Sequence, residues 1–455
     1  MAARHIRKMF LRVPPFVRVL LLIAFAFLFF AGSYSSYFVS DDYLFLDRIH
    51  LNNASQYFSK SMGCCNEYRP FTAYSYALDE KLSGANPAGY HATAIALHIA
   101  NCLLAGLIAR KLGAPSPAAM LTSVLFLLNP VAHESVLWIA ARPILLSTFF
   151  GLTALYAFLE AQRALGTSRH RWMWPAVMYF CFAASLLCYE GAVVIPVLAA
   201  FFHVLSLERG TRRNALNLVG LFAILLVYVV GWNLLFRFRI ERFPVETSIP
   251  GGIASFGNAI AHSLHGSLRP VMLPVYALIL TACLLRRDGR RVALISAAWF
   301  LIGYLPFFLV RGFSDRFAYL SSVGTAILLG FGSYALGKTR FRQLAPMVTA
   351  ALLVFYAVGM QNRIAMWREA GSIAYRIPRE MKALRPSLPP GVTLVARNVP
   401  DMHQHALVYL TGLQPAIALQ YPGVDFLLQT KVSADTPVNA IIFDYSNGHI
   451  HEVDR

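Results

Sequence analysis

Asp41 and Asp42 stand side by side just beyond the first long apolar run, roughly Phe16 to Gly32. Adjacent carboxylates tethered at a membrane surface suit one task, taking a proton from a hydroxyl that attacks a lipid-borne substrate. Other ionisable residues also collect at the ends of apolar runs: Glu67 to Arg69, His133-Glu134, Arg142, Tyr189-Glu190 and Asp315-Arg316. A guanidinium is a planar, permanently charged donor fork, which makes Arg69, Arg142 and Arg316 candidates for gripping a lipid phosphate. The alternative for each arginine is to brace a loop by pairing with Glu67, Glu134, Glu190 or Asp315. Asp41 or Asp42 is then the candidate base, with Glu190, beside a span end, to orient an arginine or the acceptor. His91, Glu134 and Asp315 are candidates for acceptor contact or support.

The elements that must position these groups are membrane helices. The chain is 57% hydrophobic and has a mean hydropathy of +0.54. Its apolar runs are long enough to cross roughly 30 Å of hydrocarbon at about 1.5 Å per residue. Runs near 16–33, 89–109, 117–130, 143–160, 173–188, 190–207, 215–235, 270–285, 292–310, 318–336 and 345–361 predict about eleven transmembrane helices. Lys and Arg favour short cytoplasmic loops. With Arg4, Arg7, Lys8 and Arg12 inside, every second connection is basic: Arg110-Lys111, Arg163 to Arg171, Arg209 to Arg213, Arg286 to Arg291 and Lys338 to Arg342. The net charge of +18 is therefore topology, and no soluble basic face suggests nucleic acid. The acidic pair and its companions all fall on the opposite, outer side. Few ionisable residues lie in mid-span, which counts against a proton-coupled transporter. The basic stretch, apolar run and small residues Ala31 to Ser33 also have the makings of a cleaved signal. The alternation of basic loops works with that span kept.

The six cysteines form no framework. Cys102, Cys181 and Cys283 lie in spans, Cys188 at an outer end, and Cys64-Cys65 are neighbours in the first outer loop, with no zinc-like spacing. That loop, residues 34–88, is too long for a connector and predicts short surface helices at Leu44 to Ile49, Tyr57-Phe58 and Phe71 to Leu82. A second long outer segment, 236–269, carries alternating Arg and aromatic residues from Arg237 to Phe243, suited to interfacial anchoring or to lipid phosphate. His262 and His265 share a face if helical, a weak metal signal. Residues 1–362 read as the membrane domain and 363–455 as an exit helix and a small outer α/β module. In the module, Val392 to Ala396 predicts a strand, Met402 to Leu413 a helix, and Val438 to Tyr445 a strand ending at the turn Ser446-Asn447-Gly448.

Tyr68-Arg69-Pro70-Phe71, with Tyr76 to Asp79, Asn86-Pro87, Tyr90-His91 and His98, resembles the first-loop signature of the transmembrane and tetratricopeptide-repeat O-mannosyltransferases and their bacterial relatives, members of the GT-C superfamily. Asn129-Pro130-Val131 with Glu134, Val136, Trp138-Ile139 and Arg142 is similar to a second block, and Asp315-Arg316 with Tyr319-Leu320 and Ser322-Val323-Gly324 to a third. Arg363, Trp367 and Arg368 resemble the family's exit helix. The resemblance covers about the first 370 residues and implies an inverting transferase with a polyprenyl-phosphate sugar donor, its first-loop acidic pair matching Asp41 and Asp42. The chain departs from the family at Ala132, where relatives have His, at Ile144, where they have an acid, and at Tyr189, where a Lys precedes the Glu. No tetratricopeptide repeats follow.

The expected fold class is therefore an all-α polytopic membrane protein of GT-C type with a small C-terminal α/β module. The expected donor is a polyprenyl-phosphate sugar, and the acceptor a hydroxyl of protein, lipid or glycan. Transfer from it needs a base for the acceptor and cationic groups for the departing phosphate. A divalent cation, Mg or Mn, on Asp41 and Asp42 is an open alternative for part of that cationic work. The expected setting is a bacterial inner membrane, with the site facing the periplasm, the amino terminus cytoplasmic and the carboxyl terminus outside. Competing readings are a lipid-glycan flippase or transporter and a catalytically silent envelope assembly protein. An O-antigen-ligase-like transferase is a neighbour within the enzyme class, disfavoured by the early position of the acidic pair.

Overall fold

A computed structural model describes residues 14–46, 49, 56, 68–163, 172–205, 212–236, 250–251, 253–254, 257, 272–308, 314–433 and 435–454. The expectations for Cys64-Cys65, Tyr57-Phe58, Glu67, Arg237 to Phe243, and His262 and His265 lie outside the described residues. Among the described residues the chain is mostly helical and forms two compact units. One comprises residues 1–31, 92–136 and 143–361, the other 32–91, 137–142 and 362–455.

Among the described residues six helices are long and apolar enough to cross a membrane: Phe16–Ser35, Pro87–Lys111, Ile139–Gln162, Ala215–Leu234, Arg287–Phe307 and Ala345–Leu384. A seventh span results if the bent pair Ser116–Leu127 and Pro130–Leu137, which meet at 47°, counts as one. The bend has a local cause. Pro130 offers no N–H to continue the helix, and the Asn129 side chain caps the break by accepting from Val131 N. The other apolar runs expected to span form shorter helices: Met173–Leu186, Glu190–Leu205, Leu273–Leu284 and Ser322–Leu336. A helix of 15 residues rises only about 22 Å. The chain is thus an integral membrane protein in which regular helix is interrupted more often than run lengths suggest.

In the larger unit, α1 (Ser322–Leu336) is largely buried, packed against α2 (Ser116–Leu127), α3 (Leu273–Leu284) and α4 (Arg287–Tyr304). Small residues make this possible. A Cβ on Gly324 would lie 2.7 Å from Ser296 O, and one on Gly330 would lie 2.8 Å from Ala118 O. Close backbone approach of this kind is what holds helices together where lipid removes the hydrophobic drive. Leu125, Ile279, Leu329, Leu336 and Leu352 fill the core around it.

The smaller unit holds the segment that follows the first apolar helix and the C-terminal module. The module is a four-stranded sheet ordered β4-β1-β5-β6, with β1 Val392–Arg397, β4 Phe426–Gln429, β5 Ile441–Ser446 and β6 His449–Val453. Strand β1 is parallel to both neighbours, in register Leu394 to Leu428 and Leu394 to Ile441. Strand β6 returns antiparallel through the expected turn, where Asn447 (φ 51°) and Gly448 (φ 83°) take the left-handed conformation that tight hairpins need. The helix expected over Met402 to Leu413 is not formed. A short hairpin, β2 Met402–His403 with β3 Ala406–Leu407, takes its place, and helix begins only at Leu413 (Leu413–Ala418). Gln404 at φ 53° turns the hairpin and is incompatible with helix. The sheet is pinned to the last turns of the long exit helix by Glu380, which accepts from Ile450 N at 2.8 Å, and by Arg385, which grips Glu452 with two nitrogens at 2.7 and 3.0 Å.

Candidate active site

In the smaller unit the acidic pair sits at the entrance to the short helix Asp42–Leu46. The two carboxylates have opposite surroundings. Asp42 is buried at 3% exposure, and both its oxygens accept backbone N–H bonds, Oδ2 from Val39 at 3.0 Å and Oδ1 from Ala140 at 2.7 Å. It ties the loop before it to the 137–142 segment. Asp41 is only partly buried and uses Oδ1 to accept from the Thr411 hydroxyl. Among the described residues no hydrogen bond to its Oδ2 is present.

Burial pushes the Asp42 carboxyl up to about 8, and the neighbouring Asp41 pushes the same way. The Val39 and Ala140 amides and the Arg142 guanidinium pull it down without prevailing. A neutral Asp42 spares Asp41 an adjacent negative charge. The sign for stability follows from linkage. With a raised folded-state value, the contribution is complete below the unfolded value near 4 and is lost as pH rises through about 8. Thermal unfolding of the detergent-solubilised chain should therefore show a midpoint that falls from about pH 4 to about pH 8 and levels off above that. Asp42→Asn should flatten that slope; an unchanged slope would mean another group titrates.

Arg142 is placed differently from a phosphate ligand. It is fully buried, with Nη1 2.6 Å from Asp79 Oδ2 and Nη2 donating to Tyr90 O at 3.1 Å. Its guanidinium lies 4.6 Å from the Tyr76 ring centroid and 5.7 Å from that of Tyr90. The partner was not among those expected. Asp79 and Tyr76 are three apart on the helix Pro70–Ser83, so they share the buried face that receives Arg142. A guanidinium with no exposed surface and an acid already in place braces the segment that carries Asp79 and Tyr90, and the donor-phosphate role expected for it does not fit. Arg69 is half-buried at the start of that same helix. His91 is also buried, with Nε2 3.2 Å from Ser36 O, and so supports the backbone leading to Asp41.

The larger unit gathers the remaining candidates. Glu134 Oε2 accepts from Arg316 N at 3.1 Å and from the Ser314 hydroxyl, and lies 3.6 Å from Arg316 Nη1. His133 Nε2 meets Asp315 Oδ2 at 2.7 Å, both buried. These contacts fix the 314–316 turn and leave the Arg316 side chain 29% exposed. Arg316 lines a narrow cleft together with Ser147, Thr148, Ser185, Tyr189 and Phe317. Glu190 begins the 3-10 turn after Tyr189. A cation flanked by hydroxyls can hold a phosphate group.

Among the described residues no three His, Cys, Asp or Glu side chains stand close enough to share a metal ion. Asp42 has both oxygens engaged by amides. The residues present therefore do not fit the divalent cation considered above.

No family model matches the chain. Protein O-mannosyl-transferase TMTC4 of Homo sapiens is 25% identical over 455 residues, covering 78% of this chain and 61% of the human protein. Protein O-mannosyl-transferase Tmtc3 of Drosophila melanogaster is 23% identical over 411 residues, 67% of this chain and 44% of the fly protein. The chain is similar to the protein O-mannosyl-transferases over most of its length. It spans less than two thirds of the length of these curated relatives. Among solved structures, ArnT from Cupriavidus metallidurans bound to undecaprenyl phosphate has a TM-score of 0.57 at 14% identity, covering 95% of this chain and 93% of ArnT. The Archaeoglobus fulgidus oligosaccharyltransferase, in complex with Zn and sulfate, has a TM-score of 0.52 at 14% identity, covering 82% and 60%. At those identities the likeness is one of fold, and the fold of this chain is GT-C-like.

Proposed function

We propose that the chain is an inverting glycosyltransferase that moves a hexosyl or pentosyl unit from a polyprenyl-phosphate donor to an acceptor hydroxyl on protein, lipid or polysaccharide. The observation that carries this reading is the unequal acidic pair, one carboxylate locked by two amides and the other partly exposed with an oxygen to spare. Asp41 acts as general base through Oδ2: it takes the acceptor proton as the hydroxyl oxygen attacks the anomeric carbon. The bond from that carbon to the phosphate oxygen breaks on the opposite face, which inverts the centre. The phosphate leaves with the electron pair, and a guanidinium stabilises the charge, the candidates being Arg316 of the larger unit and Arg69 of the unit that holds the acidic pair. Glu190, at the start of the 3-10 turn after Tyr189, orients the acceptor. Glu134, Asp315 and His91 are supporting residues, Arg142 a brace, and no step runs through a metal ion.

The names of the relatives make mannose the first sugar to try, and ArnT bound to undecaprenyl phosphate supports a donor of that class. We further propose that residues 1–362 form the membrane domain and 363–455 an exit helix and extracytoplasmic module. The four shorter apolar helices would also cross, extended by 3-10 turns, to give about eleven spans in a bacterial inner membrane. The amino terminus would be cytoplasmic and the carboxyl terminus periplasmic, which a phosphatase fusion at Pro390 reads directly.

The test is transfer from labelled undecaprenyl-phosphate mannose into membranes of a deletion strain, with glycan mass analysis identifying sugar and acceptor. Arg316→Ala should lower donor use by about ten- to a hundredfold, the loss of one charged hydrogen-bonding group at about 1.5–3 kcal/mol. Arg316→Lys should fall nearly as far, since an ammonium cannot reproduce the fork. Full activity in the Lys variant would remove Arg316 from the phosphate.

A further inference from the structure

The segment Val408 to Gly412 of the C-terminal module lies directly on the loop that carries the acidic pair. Ser40 N donates to Val408 O at 2.8 Å, and Thr411 N donates to Ser40 Oγ at 3.2 Å. The Ser40 and Thr411 hydroxyls are 3.1 Å apart. Ser40 is held at φ 47°, in the left-handed region that a non-glycine residue adopts only when its surroundings enforce it. Gly412, at φ 78°, packs so tightly that a Cβ there would run into the Ser40 carbonyl oxygen. Below this seam, Tyr43 and Tyr409 stack at 5.9 Å, and both hydroxyls donate to Ala374 O. The contact is thus a built one, with backbone, side-chain and ring components, and its outermost member is the Thr411 hydroxyl on Asp41 Oδ1.

We propose that Thr411 is a positioning residue for the transfer reaction: its hydroxyl, supplied by the C-terminal module, fixes Asp41 Oδ1 so that Oδ2 is presented to the acceptor. Two torsions otherwise leave an aspartate head free to turn, and a base must meet its proton within hydrogen-bond reach. Asp42 cannot fix its neighbour, because its own oxygens are committed to Val39 and Ala140. The module therefore completes the catalytic loop, a role separate from recruiting an acceptor. This inference rests on Asp41 as the base.

Thr411 is exposed, so its replacement leaves the core intact. Thr411→Val keeps the shape and removes the hydroxyl. With undecaprenyl-phosphate mannose and deletion-strain membranes as acceptor, it should lower kcat about tenfold at unchanged donor KM, the scale of one hydrogen bond to a charged group. Thr411→Ser should restore kcat to within about threefold. On an Asp41→Asn background, Thr411→Val should cost nothing further, because the group it positions is gone. Wild-type kcat in Thr411→Val, or an equal loss on both backgrounds, overturns the positioning role while leaving Asp41 as base. Wild-type turnover in Asp41→Asn alone overturns the base assignment itself. If the valine variant fails to accumulate, Thr411→Ala is judged by the same comparison with Thr411→Ser.

Discussion

Asp41→Asn should abolish transfer, lowering turnover by about 10²–10⁴-fold, the range for loss of a general base. The change is nearly isosteric, and Asp41 is only partly buried with one side-chain partner among the described residues, Thr411, from whose hydroxyl an amide oxygen can still accept. Accumulation and thermal midpoint in detergent should therefore match the wild type. Asp42→Asn should behave in the opposite sense. Its amide must turn a nitrogen toward either the Val39 or the Ala140 N–H, setting donor against donor in a site that is 3% exposed. A buried amide left so costs about 1–3 kcal/mol. Its primary defect should be stability, with turnover per folded molecule reduced less than in Asp41→Asn. The paired measurement is kcat with unfolding midpoint for both variants. Near-wild-type turnover in Asp41→Asn, or a larger kcat loss in Asp42→Asn at unchanged stability, would exchange the two roles.

The sequence makes the acidic pair legible because a carboxylate doublet just past an apolar run has few structural uses. It does not divide the labour, since burial of Asp42 depends on Ala140, nearly a hundred positions away. Arg142 shows the same limit. Its type and its place at the end of an apolar run suggest phosphate, but its environment comes from Tyr76, Asp79 and Tyr90, which only the fold brings around it. A charged residue on the apolar face of Pro70–Ser83, in step with Tyr76, was the available signal. The expected helix over Met402 to Leu413 fails for a related reason. Apolar residues at Met402, Ala406, Leu410 and Leu413 have helical spacing, yet the left-handed Gln404 and Gly412 break the chain into a hairpin and an irregular segment. That irregular segment is the part that reaches Asp41, so the misread helix and the unforeseen Thr411 contact have one cause.

The second large effect belongs to Arg142. Arg142→Ala should prevent normal accumulation, because it strands Asp79 at 5% exposure with its cation removed. Breaking a buried ion pair from one side costs about 3–5 kcal/mol. Two aromatic contacts are lost as well. Arg142→Lys should rescue little, since an ammonium cannot span Asp79, Ser75 O and Tyr90 O from one rigid plane. The discriminating variant removes both charges. Arg142→Met with Asp79→Leu keeps volume and leaves no orphan ion, and such replacements are commonly neutral or stabilising. It should accumulate far better than either single variant and retain transfer, because neither residue touches the substrate in this reading. A phosphate ligand predicts the reverse: single variants that accumulate fully with a raised donor KM, and a double variant that is folded but inactive. Accumulation by immunoblot, unfolding midpoint and donor KM on the same four proteins separate a buried brace from a phosphate site.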